Sequence, residues 1–205
     1  MKRTITVAGR GEITLCPDTA KLTMELREEG AEHAAVTDAC DDRAELLLTA
    51  LEKAGIARDL VKVLSMRVEA HYKTTDGTRM LAGYTAEQRL LLLCKSDAGI
   101  LADVLKAVLS SGVSPLLSLD YIVRDPEQYR AQLISLAVED AAHKADIIAQ
   151  AANVRLGPLL NVTYAQPAAM PLRTMHMAAR GDFGANLTPD DMTLSDEVTA
   201  VYEIE

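Results

Sequence analysis

Apolar and polar residues alternate along several stretches of this chain, and most regularly between Leu64 and Lys73. The two alternating sets are Leu64, Met66, Val68, Ala70 and Tyr72, and Ser65, Arg67, Glu69, His71 and Lys73. Successive side chains of a strand point to opposite faces, so the pattern predicts a strand with one dry face and one wet face. Such strands are typical of antiparallel sheets, because parallel sheets are covered on both faces.

The remaining segments predict a mixture of further strands and helices. Strands are expected at about 5–7, 20–26, 83–95, 117–123, 160–164 and 198–204, and helices at about 36–54, 97–111 and 125–153. Gly9-Arg10-Gly11 is expected to interrupt the first strand as a bend or bulge. Asp76-Gly77 predicts a hairpin joining the strand at 64–73 to the next, with a turn longer than the tightest type. Together these elements predict one α+β domain over residues 1–205, a mainly antiparallel sheet with long helices packed on it.

The longest predicted helix carries a face of unusually small side chains. Asp125-Pro126 predicts its start, because an acidic cap followed by proline suits the first helical turn. Its apolar stripe is Leu133, Ala137, Ala141, Ala145, Ile148 and Ala152. Small residues let a helix approach its neighbour closely, so this helix is expected to pack on the sheet.

An irregular segment covers residues 166–193 and carries no regular period. It contains several prolines and glycines and a cluster of methionines. Long irregular segments within domains are often functional loops, and methionine adapts to irregular partner surfaces. The candidate interaction residues are Met170, Met175, Met177, Phe183 and Met192. The alternative is a loop that folds over its own sheet.

Composition excludes several classes of function. The net charge of −9 argues against a nucleic-acid partner, because phosphate binding requires clustered Lys and Arg. Cys16, Cys40 and Cys94 form no CxxC pair, so neither a disulfide framework nor a zinc site is expected. No apolar run has the length of a transmembrane segment. The first residues carry charge without an apolar signal region, which predicts a cytoplasmic protein; the alternative is an exported protein whose leader was removed.

Candidate chemistry is sparse. Gly9-Arg10-Gly11 lacks the third glycine and the following helix that dinucleotide binding requires. Glu139 and His143 stand four residues apart on a helix and could share a metal, but they lie off its apolar stripe and predict a solvated face. No nucleophile elbow, phosphate loop or HExxH pair is present. We therefore expect no catalytic residues, no metal and no cofactor.

The order of motifs resembles that of the SIMPL domain family, whose function is unknown. The similar segments are Ile5–Glu12, Pro17–Ala20, Ala50–Ile56, Gly83–Ala86 and the Ala137–Gly157 helix with its exit. The resemblance extends over almost the whole chain. It implies an α+β fold, self-assembly into rings or larger oligomers, and bacterial relatives that are mostly exported and loosely linked to oxidative stress. The resemblance supplies no catalytic residues that could be assigned to positions of this chain.

Two functional hypotheses follow from the sequence. The first is a non-enzymatic, self-associating protein, a homo-oligomer with a stress-response or scaffolding role and no known protein partner. The alternative is a small-ligand or metal-binding protein that uses a cleft beside the 166–193 loop. An enzyme with a dispersed active site is a third possibility, and it would require titratable groups that converge in a pocket.

Overall fold

The computed structural model describes residues 3–75, 78–165, 173–175, 187 and 189–205. The strands are β1 (Arg3–Leu15), β2 (Thr19–Gly30), β3 (Val61–Thr75), β4 (Thr78–Lys95), β5 (Leu116–Ile122), β6 (Leu156–Tyr164), β7 (Arg173–Met175) and β8 (Met192–Ile204). The helices are α1 (His33–Lys53), α2 (Ala98–Ser110) and α3 (Arg130–Ala151), with short 3-10 turns at Arg58–Leu60 and Pro126–Tyr129.

The described strands form two antiparallel sheets, which confirms the predicted α+β class. One sheet has the strand order β1-β8-β6 and the other β3-β4-β2-β5-β7. The chain divides into two compact units, one around each sheet. The first unit contains β1, α3, β6 and β8, and the second contains the other strands with α1 and α2. The prediction of one domain over residues 1–205 stays a prediction.

In the second unit, α1 and α2 cover one face of the five-stranded sheet. The central strand β2 alternates as predicted, and its residues Ala20, Leu22, Met24 and Leu26 are all at most 1% exposed. They pack with the buried faces of both helices, which include Leu47, Leu51, Leu101 and Val104. The opposite face of β2 carries charged side chains, so the alternation divides this sheet into an apolar and a polar face.

The ends of these two helices follow from local chemistry. The carboxylate of Asp97 accepts a hydrogen bond from the backbone N–H of Ile100 at 3.0 Å and so caps α2. Gly55 and Gly112 follow the two helices with φ of +86° and +74°, a conformation that glycine adopts without steric cost. Both helices therefore end where the sequence places a glycine.

In the first unit, α3 packs on the three-stranded sheet. β1 pairs with β8 in unbroken register from Arg3↔Ile204 to Leu15↔Met192. The buried face of the helix consists of Leu133, Ala137, Ala141, Ala145 and Ala149. The predicted small face is therefore present. Its C-terminal end differs from the prediction, because Ala149 is buried and Ile148 is 43% exposed.

The predicted bend at Gly9-Arg10-Gly11 is wrong, since β1 continues through all three residues. The glycines serve instead as the surface on which α3 rests. A Cβ on Gly9 would lie 2.1 Å from the carbonyl oxygen of Ala137, and one on Gly11 would lie 2.0 Å from that of Leu133. Real Cβ atoms do not approach this closely, so only glycine permits the helix to lie at this distance.

Two other local predictions are corrected. The Asp125 carboxylate accepts no capping hydrogen bond, and Pro126 opens a 3-10 turn that leads into α3 at Arg130. β3 ends at Thr75 and β4 begins at Thr78, so two residues join them and the connection is shorter than predicted. Residues 76 and 77 lie outside the described part of the chain.

Candidate functional site

The predicted interaction loop falls largely outside the described residues. Met170, Met177 and Phe183 lie there, and Met175 is the last residue of β7. Met192 begins β8 and is 5% exposed. The prediction that Met192 is an exposed contact is thus corrected, because its side chain is part of a core.

The outer strand of the five-stranded sheet exposes the residues that the sequence predicts to be dry. β3 lies at the edge of this sheet. Leu64, Met66 and Tyr72 of the predicted dry face are 52, 43 and 52% exposed, and the neighbouring Val63 is 59% exposed. Alternation indicates which side chains share a face, but α1 packs mainly on β2 and β4 and only touches β3. The apolar face of the sheet therefore continues past the helix that covers it.

The ends of β3 and β4 form a two-stranded extension, here called the hairpin arm (residues 71–75 and 78–83). β2 pairs with β4 only as far as Gly30↔Tyr84, so the arm has no third strand among the described residues. Met80 and Leu81 are 53 and 46% exposed there, and the guanidinium of Arg79 lies 4.1 Å from the ring centre of Tyr72. Isolated two-stranded hairpins are marginally stable, so a partner surface would stabilise the arm.

The polar face of the same sheet is a network of ion pairs between neighbouring side chains. Arg89 Nε lies 2.7 Å from Glu25, Arg27 Nη2 lies 2.8 Å from Glu29, and Arg67 Nη1 lies 3.4 Å from Glu69. Most of these side chains are more than half exposed. Exposed pairs of this kind contribute little to stability, typically below about 1 kcal/mol each. These ion pairs therefore determine the arrangement of charges on the surface, and they contribute little to the stability of the fold.

A cavity of about 490 Å³ opens on this polar face. Its walls come from three strands and include Arg27 and Glu29 of β2, His71 of β3, and Gly83 and Thr85 of β4. His71 Nε2 lies 2.6 Å from the hydroxyl oxygen of Thr85, which is 3% exposed. These residues bring together a guanidinium, a carboxylate, an imidazole and a hydroxyl, and no contiguous motif places them there.

A second polar cluster holds the first unit together. The Tyr164 hydroxyl donates to Asp196 Oδ2 at 2.9 Å and accepts from Arg130 Nη1 at 2.9 Å. Asp196 is completely buried as a side chain, and Arg130 is 17% exposed. Hydrogen bonds to Glu127 and Tyr164 raise the pKa of Arg130, and Arg130 lowers the pKa of Glu127. The cluster joins α3, β6 and β8.

Titratable groups elsewhere in the described part of the chain form no metal site. Within the described ranges, no three His, Cys, Asp or Glu side chains are placed to hold a metal ion. Glu139 and His143 lie on the exposed side of α3, as their position off the stripe predicts. Burial raises the pKa of the Cys40 and Cys94 thiols, which keeps them protonated and unreactive at neutral pH. None of the described helices has the length and hydropathy of a membrane span.

Comparison with known proteins identifies the family to which the chain belongs. The SIMPL family, described as a protein of unknown function (DUF541), matches residues 5–202. The chain belongs to the SIMPL family. This match confirms the resemblance seen in the sequence, and it spans both units of the fold.

Several bacterial relatives of this SIMPL chain match most of its length. The uncharacterized protein YggE of Escherichia coli K12 is 25% identical over 207 residues, which span 98% of this chain and 83% of the relative. YggE of Edwardsiella ictaluri is 24% identical over 161 residues, or 78% of this chain and 67% of the relative. The 26 kDa periplasmic immunogenic protein of Brucella melitensis is 24% identical over 213 residues, 98% of this chain and 84% of the relative.

Proposed function

We propose that this SIMPL chain is a non-enzymatic, self-associating protein and that two copies pair through their β3 strands. The observation that carries the proposal is the exposed β3 edge, with 43–59% exposure at Val63, Leu64, Met66 and Tyr72. An open edge presents unpaired backbone groups to another strand. β3 is 15 residues long, about 50 Å at ~3.4 Å per residue, which is a long template for pairing.

The regular part of β3 suggests where two copies would meet. Its pairing with β4 is irregular between Val63 and Ser65 and again between His71 and Tyr72. The regular segment, 65–71, is centred on Val68. A two-fold axis at Val68 would therefore align the straight part of each strand with its counterpart in an isologous, antiparallel pair.

This register is complementary in charge. With Val68 on the axis, Arg67 of each copy stands opposite Glu69 of the other. Residues directly opposite in an antiparallel pair have Cβ atoms about 4.5–5.5 Å apart, and opposite charges there are favourable. Both side chains are exposed, at 69 and 58%, and already pair along their own strand. Each can therefore turn to the second copy without leaving a buried charge unpaired.

The same register removes apolar surface from water. Met66 of one copy stands opposite Ala70 of the other, on the face that continues the sheet core past α1. Burial of apolar area contributes roughly 25 cal/mol per Å². The hairpin arm extends the contact, because Tyr72 lies just beyond the regular segment of β3 and would stand opposite Leu64 of the other copy.

A second exposed edge supports assembly beyond a dimer. β6 lies at the edge of the three-stranded sheet, and Leu159, Leu160 and Val162 are 45, 43 and 40% exposed. A ring or larger oligomer requires two interfaces per copy, and this edge is the natural candidate for the second one.

Light scattering coupled to size exclusion tests the proposal. The chain is expected to form a discrete oligomer, and Met66→Lys is expected to weaken it at least tenfold. Leu46→Lys is the matched control, because Leu46 is 56% exposed on α1, away from the strand edge. A monomer at high concentration, or equal effects of the two substitutions, would contradict the proposal.

The finer predictions on role and location remain open to test. The name of the Brucella relatives supports export, the alternative to the predicted cytoplasmic location. Fractionation of cells that express the full-length native gene would separate these two outcomes. The stress-response and scaffolding roles, and a ligand in a cleft beside the 166–193 loop, stay predictions.

A further inference from the structure

We propose that the cavity of about 490 Å³ on the polar sheet face binds a small zwitterion of the free α-amino acid class. Of its lining residues only His71 belongs to the β3 segment of the proposed dimer; the charged groups Arg27 and Glu29 lie on β2, and the proposal does not rest on that dimer. The volume lies within the range of roughly 300–1,000 Å³ that is typical of small-molecule sites.

A distortion of β4 forms one wall of the cavity. Ala82 has no partner in the β3–β4 register, because His71 pairs with Gly83 and Tyr72 pairs with Leu81. Gly83 has a φ of +150°, which side-chain-bearing residues rarely adopt, and a Cβ there would lie 2.6 Å from the carbonyl oxygen of Gly30. Bulges commonly lie beside functional sites, where they redirect side chains and free backbone groups. Here the bulge residue itself lines the cavity.

Hydrogen-bonding groups converge on the same space. The contact of His71 Nε2 with the Thr85 hydroxyl at 2.6 Å orients the imidazole ring, and burial restricts the movement of the Thr85 side chain. Arg27 reaches the cavity from β2, with two guanidinium nitrogens within 3.2 Å of one oxygen of Glu29. A guanidinium and an imidazole are the donors that recognise a carboxylate.

The Arg27–Glu29 ion pair explains why the ligand should carry both charges. A simple anion binds only Arg27 and a simple cation binds only Glu29, so either ligand uses one half of this exposed charge pair. A zwitterion replaces one internal ion pair by two ligand ion pairs, carboxylate to Arg27 and ammonium to Glu29. Glu87, 3.7 Å from Arg27 Nη1, completes the charges around the guanidinium.

Ligand chemistry provides the first test. The melting temperature of the full chain is measured with a panel of free amino acids, and with the N-acetyl and carboxamide derivatives of each. A ligand that binds only the native state raises the melting temperature. We expect at least one free amino acid to raise it and both of its blocked derivatives to bind at least tenfold more weakly. No shift with any panel member, or equal binding of a blocked derivative, would overturn the proposal.

Matched variants locate the site. Arg27→Gln and Glu29→Gln are each expected to weaken calorimetric binding at least tenfold. Arg89→Gln is the control, because Arg89 lies on the same face, is exposed to a similar degree (53% against 55%) and pairs with Glu25 outside the cavity. All three positions are exposed enough for the variants to fold. Equal loss in Arg89→Gln would show that the face as a whole, and not this cavity, attracts the ligand.

Discussion

Gly11 of β1 lies directly beneath the backbone of Leu133, so closely that a Cβ on the glycine would be 2.0 Å from the Leu133 carbonyl oxygen. Gly9 stands in the same relation to Ala137, one helical turn farther along α3. Two glycines on the strand and a row of alanines on the helix thus bring two backbones together. The packing of the first unit depends on the absence of side chains on both elements.

Gly11→Ala is expected to destabilise the protein by about 3 kcal/mol, because the added methyl group would push α3 away from its sheet. The obstructing atom belongs to the backbone, so no rotamer change relieves the clash. Urea denaturation measures the effect. The comparison is Gly99→Ala in the first turn of α2, where the nearest contact is a side-chain oxygen at 3.1 Å and a change within about 1 kcal/mol is expected.

Tyr164→Phe tests the buried cluster of Arg130, Tyr164 and Asp196. The substitution keeps the ring but removes the hydroxyl that donates to Asp196 and accepts from Arg130. Loss of a partner from a buried carboxylate costs about 1–3 kcal/mol, and we expect this decrease in the free energy of unfolding. Tyr72→Phe, on the exposed arm, should leave stability unchanged; an equal loss there would argue against the role of the cluster.

Asp140 provides a pH-dependent contribution to stability. Its hydrogen bond from Lys144, and then that from the Arg10 backbone N–H, lower the pKa of the carboxyl below its ordinary value. A carboxyl whose pKa is lower in the folded than in the unfolded state stabilises the protein at pH values above the unfolded-state pKa. This contribution is lost as the pH falls through the folded-state pKa.

Asp140→Asn should therefore lower stability at pH 7 by less than about 1 kcal/mol, given its partial exposure. The difference from the parent should shrink below about pH 4 and vanish once the carboxyl is protonated in both states. Denaturation at a series of pH values measures this. Glu139→Gln, on the exposed side of α3, is the control, and a difference that is constant with pH would count against the assignment.

The sequence predicts the α+β class and most elements, because their signals are local. The alternation along β2 determines the structure of that strand itself, and the glycines after α1 and α2 determine where the adjacent helix ends. The bend predicted at the two glycines of β1 is wrong because no residue near them in the sequence explains their presence. Their reason lies in Ala137 and Ala141, more than a hundred residues away.

The candidate surfaces were harder to predict for the same reason. Alternation along β3 distinguishes the two faces of the strand. Whether the apolar face of β3 is covered depends on where α1 packs, and α1 lies mainly on β2 and β4. The cavity residues Arg27, His71 and Thr85 come from three strands and read individually as ordinary surface positions. The bulge at Ala82 also lines this cavity, and the only feature of the sequence that could have indicated it is the neighbouring Gly83.

Charge exchange across the β3 pair tests the central claim most directly. Arg67→Glu places like charges opposite each other on both sides of the Val68 axis, and Arg67→Glu combined with Glu69→Arg restores opposite charges in reversed order. By light scattering at equal concentration, the single variant should dissociate at least tenfold more readily than the parent, and the double variant should recover the parental mass. An unchanged mass in the single variant, or a failure of the double variant to recover it, would contradict pairing through β3 about Val68.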